Sequence, residues 1–108
     1  MAYTSRVLEI LKSATFEVWF TALPDSHAQA RINARIRRLS LGNPGDVKPV
    51  GSGVSELRID YGPGYRLYVA QRGKTVVILL CGGDKRSQDR EIRIAQQYWN
   101  DYQQRENK

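Results

Sequence analysis

The feature that most constrains this chain is the run Thr75–Cys81 (TVVILLC), its longest continuous apolar stretch. A run of strand length, rich in Val, Ile and Leu and without alternation, marks a β-strand buried on both faces. It therefore predicts a sheet with this strand at its centre and with other elements covering both of its surfaces. The same run is far too short for the roughly 18–20 apolar residues that a membrane span requires. The start MAYTSRVLEIL has neither the basic opening nor the long apolar stretch of a secretory signal. These readings predict a cytoplasmic protein with one domain over residues 1–108, which is an ordinary domain length.

Other elements follow from periodicity. Arg6–Ile10 reads as a first strand. Phe16, Trp19, Phe20 and Leu23 recur at helical spacing up to Pro24-Asp25. Ser26 with Gln29 reads as a capping box opening a second helix. That helix has Ala28, Ile32, Ile36 and Leu39 on one face and Arg31, Arg35 and Arg38 on a neighbouring one. Gly42-Asn43-Pro44 is a helix stop. Val47–Val50, with Pro49, suits an edge strand.

Val54–Tyr61 alternates, and the Gly62-Pro63-Gly64 turn leads into Tyr65–Gln71. A three-residue loop would set Tyr61 against Tyr65, Asp60 against Arg66 and Arg58 against Tyr68. Gly82-Gly83 should end the apolar strand, with Ser87 capping a last helix on which Ile92, Ala95, Trp99 and Tyr102 face inward. The expected fold is α+β, of order β-α-α-β-β-β-α. It is a small antiparallel sheet packed against an N-terminal helix pair and a C-terminal helix.

Charge narrows the function. Lys and Arg number 17 against 11 Asp and Glu, a net charge of +6, and residues 1–24 and 87–108 each sum to zero. The whole excess lies in the middle of the chain, which favours a polyanionic partner. One Cys (Cys81) and one His (His27) exclude an internal disulfide and the common thiolate or imidazole metal centres. His27 falls at a helix start remote from the sheet, and Cys81 reads as a buried strand residue.

The helix pair ending in Leu41-Gly42-Asn43-Pro44-Gly45-Asp46, the run Lys48-Pro49-Val50-Gly51-Ser52-Gly53-Val54, the Gly64-Tyr65-Arg66 hairpin and the segment Leu80-Cys81-Gly82-Gly83-Asp84-Lys85 together resemble the RelE/ParE superfamily of bacterial toxins. They look most like its HigB-like addiction-module killer branch. The resemblance implies the toxin of a type II toxin–antitoxin module. Such a protein is a metal-independent, ribosome-dependent mRNA endonuclease with no cofactor, held inactive by a cognate antitoxin. The antitoxin is a small helix-turn-helix DNA-binding protein, through which alone operator DNA would be met. ParE-like members instead poison DNA gyrase, and a degenerate member would only bind antitoxin.

Cleavage of this kind uses the ribose 2′-OH as nucleophile. It needs a proton acceptor, a proton donor for the leaving 5′-oxygen, and cations for the phosphate. By the resemblance, Arg66 grips the scissile phosphate; otherwise it is an ion-pair partner of Asp60. Lys85 assists the leaving group, with Arg86 as a phosphate contact beside it. Arg58 on the same sheet face binds phosphate or pairs with Glu56 or Asp60. Lys48 lines the cleft, and Asp84 either accepts a proton or orients Lys85. The family's aromatic or His at the start of the last helix has no counterpart in Arg86–Glu91, which leaves Tyr68 to stack a base. Arg31, Arg35 and Arg38 are candidate contacts to RNA phosphates.

Overall fold

In a computed structural model the described residues are 7–106. Their elements run β1 (Glu9–Lys12), α1 (Ala14–Thr21), α2 (Ser26–Ser40), β2 (Val47–Pro49), β3 (Val54–Ile59), β4 (Tyr65–Arg72), β5 (Val76–Asp84), a 3-10 turn (Lys85–Ser87) and α3 (Gln88–Glu106). The first strand thus starts and ends later than its expected span, whose Arg6 lies outside the described residues. The domain is α+β, as expected, and no helix among the described residues is long and apolar enough to cross a membrane.

One correction concerns the sheet. Its order is β1-β5-β4-β3-β2, and β1 runs parallel to β5, so the sheet is mixed rather than antiparallel. Strand direction leaves no trace in side-chain periodicity, which is why alternation could not reveal it. β4 holds the centre, with β5 beside it.

The apolar run does cover both faces. Val77 and Leu79 join Leu57, Leu67 and Val69 beneath Phe16, Ile32, Ile36 and Leu39 of α1 and α2. Ile78, Leu80 and Cys81 join Val54, Tyr68 and Ala70 beneath Ala95 and Trp99 of α3. Leu80 and Cys81 reach the same face because pairing passes from Val69–Leu79 to Tyr68–Cys81, leaving Leu80 as a bulge. Past the bulge, β5 continues through Gly82 and Gly83 to Asp84 instead of ending at the glycines. This extension sets Gly83 opposite Arg66 and Asp84 opposite Tyr65.

The β3–β4 hairpin is also corrected. Its pairing is Ile59 with Tyr65, Arg58 with Arg66 and Glu56 with Tyr68, so the connection has five residues instead of three. Tyr61 leaves the strand because its hydroxyl donates to Asp25 Oδ2 at 3.0 Å and its ring packs under the Arg31 guanidinium. The turn closes through Gly62 and Gly64, both at positive φ.

Two caps differ from expectation. Asp25, not Ser26, caps α2, its carboxylate accepting from the backbone N–H of His27 and Ala28. Asp84, not Ser87, caps the turn leading into α3; it accepts from Arg86 and Ser87, while Ser87 Oγ accepts from the Asp84 N–H. In both places a carboxylate nearby out-competes the hydroxyl as acceptor for helix N–H groups.

Candidate nucleic-acid interface

β3 and β4 alternate, so Glu56 and Arg58 share a sheet face with Tyr68 and Arg66. This is the face that α3 packs on. Polar residues here read as solvent-facing in sequence, yet Glu56 is wholly buried. It organises the site. Glu56 Oε2 accepts from the Tyr68 hydroxyl at 3.0 Å and from Gln88 Nε2 at 2.9 Å. Glu56 Oε1 accepts from Arg58 Nε at 3.4 Å, and Arg66 Nε stands 4.0 Å from Oε2. Arg66 Nε is buried without a hydrogen-bond partner among the described residues.

Above this carboxylate opens a cleft of about 420 Å³, lined among others by Asp46, Arg58, Asp60, Gly64, Arg66 and Lys85. Arg58 comes from β3, Arg66 from β4, and Lys85 from the turn after β5. The hairpin pairing and the bulge together bring the three cations to one opening. Lys85 is exposed, Arg58 is partly exposed, and Arg66 reaches the cleft with 13% of its side chain accessible. The expected Asp60–Arg66 pair across the strands does not form, because the longer loop takes Asp60 out of register.

Neighbouring α2 adds a smaller hollow of about 300 Å³ lined by Arg31, Arg35 and Arg38 that shares Ile59 and Asp60 with the cleft. Arg31 and Arg38 are exposed there. Arg35 is corrected as a phosphate contact: it is buried and donates to the carbonyls of Pro44, Arg58 and Asp46. It clasps the loop after α2 to the end of β3, and burial, with the nearby Arg38 charge second, lowers its pKa.

Tyr68 is likewise corrected as a stacking platform. It has no exposed surface, and burial first, then the hydrogen bond to Glu56, raises its pKa, so it stays a neutral donor. Lys48 is exposed on β2 opposite Glu56 and thus on the right face, but outside the residues lining the cleft. Asp84 sits opposite Tyr65, on the other face from Arg66, with its carboxylate occupied as a cap. Arg86 is exposed 3.8 Å from Asp84 and turned to a different hollow. His27 is exposed, and Cys81 is buried with its thiol donating to the Glu91 carbonyl.

Sequence reasoning missed Glu56 and Gln88 as organisers of the site. The one available signal was an acidic residue on the same strand face as two arginines and a tyrosine, which is too common to single out. Among the described residues no group of three or more His, Cys, Asp or Glu is close enough to hold a metal ion.

The model of the phage-derived Gp49-like protein family matches residues 18–100, which contain every residue lining the cleft. The chain belongs to the phage-derived Gp49-like family. A similar protein of Haemophilus influenzae, described only as an uncharacterized protein, is 50% identical over 88 residues. That match covers 82% of this chain and 89% of the relative. In this Gp49-like chain the family match therefore takes in the whole of β3, β4 and β5 and most of α3.

Proposed function

We propose that this Gp49-like protein is the toxin of a type II toxin–antitoxin module, a RelE-like endonuclease that cuts mRNA on the ribosome in the cytoplasm. The observation that carries the reading is the convergence of Arg58, Arg66 and Lys85 on one open cleft, with Arg66 Nε lacking a protein partner. Guanidinium and ammonium groups gathered at one opening suit a phosphate, whose oxygens accept charge-assisted hydrogen bonds from them.

In the proposed reaction the ribose 2′-oxygen attacks the adjacent phosphorus, a new P–O2′ bond forms, and the P–O5′ bond breaks. Arg66 and Arg58 hold the non-bridging oxygens, whose negative charge grows in the pentavalent transition state. The Lys85 ammonium gives its proton to the departing 5′-oxygen. Asp46 and Asp60 are the carboxylates that line the cleft and can take the proton from the 2′-OH. Arg31 and Arg38 extend the cationic track along the RNA backbone. A cognate antitoxin, a small helix-turn-helix protein, would silence the toxin and carry any contact with operator DNA.

The test is induction of the protein in cells, with mapping of new mRNA 5′ ends against ribosome positions and a parallel DNA-damage reporter. Cuts confined to ribosome-occupied codons are expected. A DNA-damage response with intact mRNA would replace this reading by gyrase inhibition, and intact mRNA and DNA together would reduce the chain to an antitoxin-binding member.

A further inference from the structure

A second hollow lies at the edge of β5. β1 accompanies β5 only from Val76 to Leu79, so beyond that point the edge of β5 facing away from β4 has no strand partner among the described residues. There a hollow of about 450 Å³ opens beside Gly82 and Gly83.

Its two walls differ. On the side of α1, the Trp19 indole lies so close over Gly82 that a Cβ there would come within 2.3 Å of its ring atoms. On the side of α3, Glu91 covers Gly83, where a Cβ would stand 2.7 Å from Glu91 Cγ. Each glycine is what lets its wall close in. Trp19 is partly exposed, and the Glu91 carboxylate is held by Arg90 Nε at 3.2 Å. Arg86 stands at the rim with 87% of its side chain accessible, one guanidinium nitrogen 3.8 Å from the carboxylate of Asp84, which also lines the hollow. The proposed phosphate chemistry uses none of these groups.

An open aromatic wall suits a nucleobase, whose π-face stacks on it whatever the sequence. The carboxylate adds selectivity. It is an acceptor only, so it favours a base edge with neighbouring N–H donors and repels one presenting ring-nitrogen acceptors. Guanine offers two adjacent donors, N1–H and N2–H, whereas adenine and cytosine offer a ring acceptor and uracil a single N–H between carbonyls. The guanidinium groups of Arg86 and Arg90 supply donors for guanine O6 and N7.

We propose that the hollow formed by Trp19, Glu91, Arg86 and Arg90 is a guanine subsite for a nucleotide beside the scissile phosphate. The proposal rests on the RNA reading above. The hollow neighbours the cleft across β5: Gly83, which lines the hollow, pairs across the strands with Arg66 of the cleft, and Arg86 of the hollow follows Lys85 of the cleft directly in the chain.

The test is intrinsic fluorescence titration with 2′-O-methyl trinucleotides, which lack the nucleophile and stay uncut, varying the central base. The chain has two tryptophans, and Trp99 is buried between α3 and the sheet, so base stacking is read at Trp19. The central-guanine trinucleotide is expected to quench emission and to bind at least about tenfold more tightly than its adenine counterpart. Trp19→Phe should abolish the quench, and Glu91→Gln, with an unchanged melting temperature, should erase the preference. Equal binding of guanine and adenine, or quenching that persists in Trp19→Phe, overturns the subsite. Cleavage of unmodified RNA is measured in parallel. With the parallel assay run on mRNA bound to programmed ribosomes, cleavage without base-dependent quenching sinks the subsite alone, whereas guanine-dependent quenching without cleavage upholds the subsite and sinks the nuclease.

Discussion

Arg66 and Glu56 face each other across the β3–β4 pair at 4.0 Å, near enough to share charge but too far to close a hydrogen bond. Glu56 spends its acceptors on Tyr68, Gln88 and Arg58, so Arg66 is held in place while its Nε remains unpartnered. A closed ion pair would tie up the guanidinium. The observed spacing anchors the residue and leaves the accessible part of its guanidinium to the cleft.

Removing Glu56 should therefore be felt in stability as well as in activity. Glu56→Ala leaves the Arg58 guanidinium, a buried hydroxyl and an amide without their common acceptor, and Arg66 without the charge that faces it. It should cost about 3–5 kcal/mol, the range for breaking a buried charged pair. Glu56→Gln keeps the shape and an acceptor oxygen and should cost only about 1–3 kcal/mol. Urea denaturation measures both, and equal stability of wild type and Glu56→Ala would contradict the buried network.

Arg35 is predicted to be structural. Replacing it by Ala strips three carbonyls of their donor at the junction of α2, β2 and β3. The expected loss is at least about 2 kcal/mol. Arg38→Ala, on the exposed face beside it, should leave stability unchanged and weaken RNA binding alone. Thermal melts of the two variants separate these roles.

Gly82→Ala tests the close approach of Trp19. The ring atoms lie where the new methyl must go, so the variant overpacks the wall and should lose about 1–3 kcal/mol. Gly73→Ala is a control for the effect of a bare methyl, since nothing lies within 4 Å of its added Cβ, although its positive φ carries its own strain. A Gly82→Ala protein as stable as wild type would mean that Trp19 moves aside freely.

Alkaline pH should weaken the fold through Cys81. Burial, with the Glu91 charge second, pushes its thiol from an ordinary 9.0 up to about 12. The folded thiol therefore keeps its proton where the unfolded one has lost it. Its contribution is complete below about pH 9 and is lost as pH rises to about 12. Cys81→Ala should flatten that decline in a pH series of denaturation curves, and at neutral pH the native thiol should resist thiol reagents until the protein unfolds.

Much of this was legible from the chain. The run at Thr75–Cys81 announced a strand covered on both sides, and the spacing of Ala28, Ile32, Ile36 and Leu39 announced the buried face of α2, because burial imposes those periods directly. Arg58 and Arg66 share a face as expected, since alternation fixes which face a strand residue takes when the register is misjudged by an even number of residues, and Lys85 joins them from the turn that follows β5. The parallel pairing of β1, the bulge at Leu80 and the departure of Tyr61 toward Asp25 were not legible. Each depends on contacts between residues far apart in sequence. Tyr68 and Arg35 were misread for a related reason. A polar side chain does not reveal whether its partner is solvent or, as here, a buried carboxylate or a cluster of backbone carbonyls.

The most direct test of the cationic cleft is the single-turnover rate of mRNA cleavage on programmed ribosomes for wild type, Arg66→Ala and Arg66→Lys. Loss of the guanidinium should slow cleavage at least about 100-fold, as for removal of a donor to a developing oxyanion. Lysine should recover only part of the rate, and the melting temperature should hold near the wild-type value. Cleavage by Arg66→Ala at the wild-type rate would contradict the account.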